Sequence, residues 1–243
     1  MNIDVLTLFP EMIEPVAAAS MLGRASKNGI LNIRAVNIRD FTQNKHKKTD
    51  DTPFGGGAGM VMSAQPVFDA LRSVDAQDKR ILYMSPRGRK LDRDLVTDLA
   101  AEENLVILCG HYEGIDERII DFWKPEEISI GDYILTGGEL AAMVVVDAVA
   151  RMIPSVLGNQ ESHMEESVYS GLIEYPQYTK PRVYEEMEVP EVLLSGNHKL
   201  IHLWKFEKAC EITKERRPDL WEAFVRDLSG LTKDERKIVA RLR

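Results

Sequence analysis

The sequence predicts an α/β fold, in which a parallel sheet is covered by helices on both faces and is followed by a small helical region. Before residue 154, continuous apolar runs alternate with helical patterns, which is typical of buried parallel strands joined by crossover helices. After Pro190 the apolar residues recur only at helical spacing. The 243 residues are enough for one large domain or two smaller ones.

Five apolar runs predict the strands of the sheet. They cover Ile3–Phe9, Ile33–Ile38, Arg80–Ser85, Leu105–Cys109 and Ile128–Ile130. Large and β-branched apolar residues dominate these runs, as they do in strands that are buried on both faces. In parallel sheets of this kind, ligands bind at the loops that follow the carboxyl ends of the strands.

Four segments between and after these runs predict helices: Pro10–Arg24, Gln65–Ser73, Asp92–Glu103 and Gly138–Ile153. Asp92 is a side chain that can cap the start of its helix. In the last segment, Asp147 and Arg151 lie four residues apart on one helix face. Either the two residues form an ion pair within the helix, or Arg151 binds an anionic oxygen of a ligand.

The second half of the chain changes character twice. Residues 154–181 are polar and rich in Ser, Gly and Pro, which predicts a linker. Three helices are expected after it, over Lys199–Lys214, Asp219–Leu228 and a last segment that opens with the capping box Thr232–Glu235.

Composition and charge exclude several classes of protein. With 44% hydrophobic and 29% charged residues the chain is not a disordered one. Its two cysteines, Cys109 and Cys210, form no CxxC pair and no zinc-ligand pattern. The Leu140–Ile153 stretch is too short and too charged to span a bilayer, and the first residues lack a signal-peptide pattern, so we expect a cytoplasmic protein without membrane contact.

The charge is unevenly distributed. The net charge is −8, but the segment from Lys199 to Arg243 has twelve Lys and Arg against eight Asp and Glu. A basic region on an acidic body can bind a polyanion. The candidate phosphate-binding cations in it are Lys205, Lys208, Lys214, Arg216 and Arg217.

A glycine-rich segment, Asp51–Met60, has four glycines in five positions. It is either a flexible turn or a loop that lets backbone approach a ligand closely. It lacks the Gly-Lys-Ser/Thr of a P-loop, and no apolar strand precedes it as a Rossmann glycine run requires. A loop that closes over a flat substrate, with Lys45, Lys47 and Lys48 near phosphates, fits the pattern better.

Three further segments place glycines and small polar residues next to predicted strands. They are Tyr83–Gly88, Cys109–Gly114 and Ser129–Gly138. Each alone is typical of a tight turn. If the strands are parallel neighbours, the three loops meet at one sheet edge and form a pocket lined by backbone, suited to an adenine or nucleoside rather than to a metal.

Together these segments resemble the bacterial tRNA (guanine-N1)-methyltransferases, the TrmD family. The resemblance runs in order along essentially the whole chain. It is carried by Leu6–Pro10, Gly55–Met60, Ser85–Leu91, Cys109–Arg118, Ser129–Leu140, Asp147–Arg151, Tyr178–Pro181 and Val192–His198. Two residues depart from the family pattern, because Ala58 and Ala141 stand where the family often has proline.

The resemblance implies an enzyme that transfers a methyl group from S-adenosylmethionine to N1 of guanine 37 in tRNA, next to the anticodon. It implies a SPOUT-type α/β domain with a C-terminal trefoil knot over residues 1–160, a linker over 161–180 that carries the base, and a small all-helical tRNA-binding domain over 181–243. It also implies a homodimer with active sites at the interface, and a loosely bound Mg²⁺ without a dedicated metal cage.

Carried over by motif, the three loops would bind the cofactor. The residues concerned are Tyr83, Met84, Ser85, Pro86 and Gly88 from the first loop, Gly110, Tyr112, Glu113 and Gly114 from the second, and Ser129, Ile130, Gly131, Tyr133, Leu135, Gly137 and Gly138 from the third. Ala58 and Gly59 would contact the substrate guanine.

The same resemblance assigns two catalytic residues. Arg151 matches the family arginine, and Glu166 stands at the place of the family's aspartate base, with Glu165 as the alternative. The competing interpretations are a SPOUT-type methyltransferase for another RNA site, a non-enzymatic RNA-binding protein and an NAD-dependent oxidoreductase. The motifs of the glycine loop and the C-terminal region disfavour a methyltransferase for another RNA site. Arg151 and the three pocket loops disfavour a non-enzymatic RNA-binding protein. The lack of a predicted strand before the glycine run disfavours an NAD-dependent oxidoreductase.

Overall fold

The structure is a computed structural model that describes residues 1–156 and 170–243. It contains two compact units, Met1–Gln160 and Glu161–Arg243. Glu165 and Glu166, the two candidates for the base, lie outside the described residues. No helix within the described ranges is long and apolar enough to cross a membrane.

A parallel five-stranded sheet forms the centre of the first unit, among the residues described. Its strands are β1 (Asn2–Thr7), β2 (Asn32–Asn37), β5 (Arg80–Lys90), β6 (Asn104–Cys109) and β7 (Glu126–Ser129). Their order in the sheet is β2-β1-β6-β5-β7, and every neighbouring pair is parallel. The predicted α/β fold with a parallel sheet is therefore confirmed.

Helices cover both faces of this sheet. They are α1 (Pro10–Ala17), α2 (Ser20–Lys27), α3 (Ala64–Ser73), α4 (Arg93–Ala100), α5 (Glu117–Trp123) and α6 (Glu139–Met152). Alternate side chains of the strands point to opposite faces, so Ile3 and Val5 pack in the core with α1, α2, α4 and α6. Leu6, Val106 and Leu108 pack in a second core with α3 and α5.

The predicted helix over 10–24 is in fact two helices. The α1 helix closes at Ala18, and Ser20 then takes a left-handed conformation with φ 46° where α2 begins. Gly23 permits this reversal, because a Cβ there would lie 2.1 Å from the Ala18 carbonyl oxygen. The sequence pattern also missed α5, whose N-cap is Asp116.

Strand β5 is longer than the predicted Arg80–Ser85. Its pairing with β7 shifts register between Met84 and Arg89 and then resumes, so the strand extends to Lys90. Beyond it, the Leu91 amide donates to the Ser129 carbonyl at 2.8 Å. Glycine is required at position 88, because a Cβ would lie 2.3 Å from the backbone of Glu127.

The second unit contains β8 (Val183–Tyr184), β9 (Met187–Glu188), α7 (Glu191–Leu194), α8 (His198–Arg216), α9 (Pro218–Phe224) and α10 (Lys233–Leu242). The predicted capping box is present, since Thr232 and Glu235 cap each other's backbone at the start of α10. The helix predicted to run to Leu228 ends at Phe224. The expectation of an all-helical region from residue 181 is wrong in detail, because β8 and β9 form a hairpin there.

A small core holds the described part of the second unit together. Cys210, Trp221 and Val239 are buried in it, with Leu172 from the segment that was expected to be a linker. The Ile173 amide donates to Thr213 Oγ1 on α8 at 2.8 Å. Leu172 thus packs with the helices through its apolar side chain, and Ile173 contacts α8 through its backbone.

Candidate active site

A cavity of about 530 Å³ lies beside the middle of β5 and the carboxyl ends of β6 and β7, which are neighbouring strands in the sheet. This volume falls in the range of small-molecule sites. Its first wall is the stretch of β5 from Tyr83 to Arg87, which includes the register shift, and its second and third walls are the loops that follow β6 and β7. The predicted cofactor residues line it, with the exception of Gly88: Tyr83, Met84, Ser85, Pro86, Gly110, Tyr112, Glu113, Gly114, Ser129, Ile130, Gly131, Tyr133, Leu135, Gly137 and Gly138.

Gly88 does not line the cavity. It lies where β5 passes the backbone of Glu127 and Ile128, and the lack of a side chain allows this close passage. Its part in the site is indirect, because it lets β5 resume pairing with β7 beside the cavity. Ala141, which stands where the family often has proline, is a wall residue.

The first wall contains a buried tyrosine. Burial raises the pKa of the Tyr83 phenol to about 12, and the nearby charge of Glu127 contributes to this rise. Gly110, which directly follows β6, lies against the Tyr83 ring, since a Cβ there would come within 2.8 Å of it. At the rim, Arg87 pairs with Glu127 at 3.2 Å and with Glu117 at 3.7 Å.

The second wall is joined to the glycine-rich loop. The Glu113 amide donates to the Met60 carbonyl at 3.0 Å, and the Met62 amide donates to the Gly114 carbonyl at 2.9 Å. Gly59 lies against the Glu113 side chain, where a Cβ would be 2.5 Å from the carboxylate. Ala58 and Gly59 are therefore beside the second wall, although neither lines the cavity itself.

The glycine-rich loop has a defined backbone. Two short antiparallel strands, β3 (Asp50–Asp51) and β4 (Val61–Met62), bring its ends together. Gly55, Gly56, Gly57 and Gly59 all have positive φ, which explains why four glycines occur there. A two-residue antiparallel strand before the loop is not the parallel strand of a Rossmann site, so this alternative is excluded.

The third wall turns around Gly131 and closes onto the second. Gly131 has φ 153°, and its amide donates to Ser129 Oγ at 3.2 Å. The Gly138 amide donates to the Gly110 carbonyl at 2.9 Å. A Cβ on Gly138 would lie 2.8 Å from the Cys109 Cα, so a glycine is needed where the third wall crosses the end of β6.

Sequence reasoning missed a buried polar group behind these walls. Glu139, the first residue of α6, is only 2% exposed and accepts a hydrogen bond from Thr7 Oγ1 at 2.8 Å. Its other oxygen, Oε2, lies 4.0 Å from His111 Nε2, and His111 lines the cavity. A glutamate that begins an apolar helix was the available signal. Burial, with a contribution from the Glu139 charge, raises the pKa of the Cys109 thiol well above its usual range.

The predicted catalytic arginine is not in the cavity. Arg151 lies in the last turn of α6, ten residues beyond the wall residue Ala141. With a rise of about 1.5 Å per residue, the two Cα atoms are about 15 Å apart along the helix axis. Within the described ranges, no cluster of three or more His, Cys, Asp or Glu side chains could hold a metal ion.

Comparisons with known proteins agree with the motifs. The sequence profile of the family described as tRNA (Guanine-1)-methyltransferase TrmD matches residues 1–223. The chain is 52% identical over 240 residues to the tRNA (guanine-N(1)-)-methyltransferase of Clostridium acetobutylicum, covering 98% of this chain and 96% of that one. It is 53% identical over 224 residues to the protein of that name from Ruminiclostridium cellulolyticum, covering 91% and 96%, and 49% identical over 240 residues to that of Clostridium tetani, covering 98% of both. The chain therefore belongs to the TrmD family of tRNA (guanine-1)-methyltransferases.

Proposed function

We propose that this protein transfers a methyl group from S-adenosylmethionine to N1 of guanine 37 in tRNA. The observation that carries the proposal is the cavity in which three segments, distant in sequence, meet beside adjacent parallel strands. Family membership makes the chain a methylating enzyme for tRNA guanine. The donor, the position in the tRNA and the catalytic residues are inferences.

The cavity fits a nucleoside-based cofactor. Glycines at 110, 131 and 137 let the walls pack closely together, since a Cβ at each of them would lie within 2.8 Å of a neighbouring side chain. Backbone groups of the three walls can bind an adenine by hydrogen bonds, and Tyr133 and Leu135 offer apolar surface. Glu113 lines the cavity as well and favours a cationic group. When bound, S-adenosylmethionine supplies a methyl group on a sulfonium, so no nucleophilic side chain is required.

Two side chains would perform the remaining chemistry. Guanine N1 carries a proton, and a carboxylate in hydrogen-bond reach can remove it as the methyl group is transferred. We assign this role to Glu166, with Glu165 as the alternative. The Arg151 guanidinium would stabilise the negative charge that develops on guanine O6. The described residues offer no cluster for Mg²⁺, so we derive no step from a metal ion.

The position of Arg151 supports a homodimer. Because this residue is about 15 Å along α6 from the cavity wall, we propose that it serves the cavity of a second copy. The α6 helix also exposes an apolar stripe, with Leu140 56% and Val144 47% exposed. The neighbouring helix α1 exposes Met12 and Val16. Apolar surface of this kind on packed helices is typical of subunit interfaces.

We also infer the SPOUT-type trefoil knot for the region that ends in α6. Family membership supports it, and the region has two close backbone approaches, at Gly88 against Glu127 and at Gly138 against Cys109. In both, backbone segments that are distant in sequence pass in direct contact. We propose that the second unit binds tRNA through its basic residues, and that the protein works in the cytoplasm.

Methyl transfer to two transcripts tests the function. The tRNAs are identical except for guanine or adenine at position 37, and the donor is labelled S-adenosylmethionine with Mg²⁺ present. We expect transfer to the guanine transcript only, at N1. The alternative function, a SPOUT-type methyltransferase for another RNA site, predicts equal transfer to both transcripts if that site lies in the tRNA, and transfer to neither if it lies in another RNA. A protein that binds the cofactor and methylates neither would contradict the proposed function.

A further inference from the structure

A buried hydrogen bond joins the first strand to the helix behind the cavity. Thr7, the last residue of β1, donates through Oγ1 to Glu139 Oε1 at 2.8 Å across 132 positions of sequence. Thr7 is fully buried and Glu139 is 2% exposed. Thr7 Oγ1 also accepts from the Phe9 amide at 2.9 Å, so the hydroxyl has a fixed direction. Carboxylates are almost never this deeply buried unless partners hold them.

The second oxygen of Glu139 faces two walls of the cavity. Glu139 Oε2 lies 4.0 Å from His111 Nε2. Gly137 lies directly against both groups, because a Cβ there would be 2.4 Å from Glu139 Oε2 and 2.6 Å from His111 Nε2. A β-bridge also pairs His111 with Gly137. The Glu139 carboxylate thus lies at the contact between the second wall, at His111, and the third wall, at Gly137.

The aromatic neighbours of His111 leave its ring little freedom. Its centroid is 5.0 Å from that of Phe9 and 5.3 Å from that of Tyr112. Phe9 lies two residues after Thr7, and its amide donates a hydrogen bond to Thr7 Oγ1. Thr7, Phe9, His111 and Glu139 therefore form one packed group behind the wall that contains His111 and Gly137.

We propose that Glu139 is a positioning residue of the methyl-transfer site. Held by Thr7, its carboxylate fixes the wall of His111 and Gly137 in the shape that admits the cofactor. The inference rests on the proposed function, and it concerns cofactor affinity rather than the proton-transfer step, since Glu139 does not line the cavity. An acidic residue in the first turn stabilises a helix even when it is exposed, so helix stability alone does not require Glu139 to be buried. The buried hydrogen bond from Thr7 instead fixes the position of the start of α6 relative to β1.

Two pairs of substitutions test this role. Glu139→Ala removes the carboxylate, while Glu139→Gln keeps an oxygen that can accept from Thr7. Thr7→Val removes the hydroxyl, while Thr7→Ser keeps it. The matched control is Thr213→Val. Thr213 is also fully buried, and its hydroxyl donates to the Ala209 carbonyl at 2.6 Å and accepts from the Ile173 amide at 2.8 Å. It belongs to the second unit, so its loss should not affect the cavity.

Calorimetric titration with S-adenosylhomocysteine and with S-adenosylmethionine measures the effect. We expect Glu139→Ala and Thr7→Val to bind at least about tenfold more weakly than the parent chain, because each leaves a buried polar partner unsatisfied or a wall unsupported. Glu139→Gln, Thr7→Ser and Thr213→Val should bind within about threefold of it. At saturating cofactor, the single-turnover rate of Thr7→Val should return close to that of the parent chain.

Other outcomes overturn the inference. Folded Thr7→Val protein with unchanged affinity would do so, as would equal losses in Thr7→Val and Thr213→Val. A rate that stays low at saturating cofactor with unchanged affinity would also contradict it. Thermal melting shows whether each variant is folded, and if Glu139→Ala is not, the Thr7 pair decides. A parent chain that binds the cofactor but methylates no tRNA refutes the proposed function alone, whereas one that binds no cofactor refutes both.

Discussion

Ala141 and Arg151 lie on the same helix, α6, but only Ala141 reaches the cavity. About 15 Å of helix separates them. We propose that each active site combines the cavity of one copy with the Arg151 of another.

Mixed dimers test this combination. Arg151→Ala keeps the cavity but lacks the arginine. Leu135→Arg keeps the arginine but places a cation at a partly exposed position of the cavity wall, where it repels a cationic cofactor. We expect each variant alone to be nearly inactive, and a one-to-one mixture after subunit exchange to recover about a quarter of the parent activity, because half of the dimers then have one complete site.

As the control, each variant alone is taken through the same subunit-exchange treatment and assayed. Titration must first show that Leu135→Arg has lost cofactor binding and that Arg151→Ala has kept it. If the mixture stays inactive although subunits exchange, Arg151 acts within its own chain or not at all.

Substitution of the two neighbouring glutamates identifies the base. Glu166→Ala should lower the single-turnover rate of methyl transfer by about 10² to 10⁴, because the N1 proton then has no acceptor. Cofactor affinity should stay unchanged, since the carboxylate acts on the guanine. Glu165→Ala is the matched control, one residue away and of the same charge. A near-parental rate for Glu166→Ala together with a slow Glu165→Ala enzyme would move the role to Glu165.

Salt dependence of tRNA binding tests the basic surface of the second unit. The structure distinguishes the predicted cations there: Lys208 pairs with Glu211 and Arg217 with Asp219, each at 2.6 Å, while the Lys205 ammonium lies 4.5 Å from the centre of the Tyr175 ring. For Arg216 no ion pair occurs among the described residues. We expect the double variant Lys205→Gln, Arg216→Gln to bind tRNA more weakly and with a flatter dependence on salt, by roughly 0.7 to 0.9 in log–log slope per lost phosphate contact.

The matched control removes two charges from the first unit. Arg24 and Lys27 lie on α2 and are exposed. Their double glutamine variant has the same net charge as the test variant and should keep the parent slope. Equal slopes in all three proteins would place the tRNA-binding surface elsewhere.

Alkaline unfolding tests the environment of Tyr83. Its pKa is raised from 10.0 to about 12 by burial, so the folded state holds the phenol proton more tightly than the unfolded state. This stabilisation is complete below pH 10 and is lost as the pH rises towards 12. Two pKa units correspond to about 2–3 kcal/mol of unfolding free energy.

The measurement is denaturant unfolding of the parent chain and of Tyr83→Phe at several pH values between 8.5 and 11.5. Other groups that titrate in this range are common to both proteins, so the difference in pH dependence isolates the phenol. The parent should lose stability more steeply with pH than the phenylalanine variant. Parallel curves would mean that Tyr83 is solvated.

Much of the first unit could be predicted from local pattern. Continuous apolar runs predicted the five strands, and their alternation with helices predicted a parallel sheet, because buried parallel strands need apolar side chains on both faces. The capping residues Asp92 and Thr232 were also readable, since an N-cap bond spans only three residues. The chain reversal between α1 and α2 could not be predicted, because it depends on the Ala18 carbonyl lying against Gly23.

The sequence by itself determined the five strands, most of the helices and the motifs that carry the family, since each of these is encoded within a few consecutive residues. Only the tertiary structure decided that Gly88 supports the cavity rather than lining it, that Arg151 is far from the cavity of its own chain, and that Thr7 holds Glu139. These relationships join residues separated by up to 132 positions. Their distances depend on how strands and helices pack, and local sequence pattern contains no measure of that.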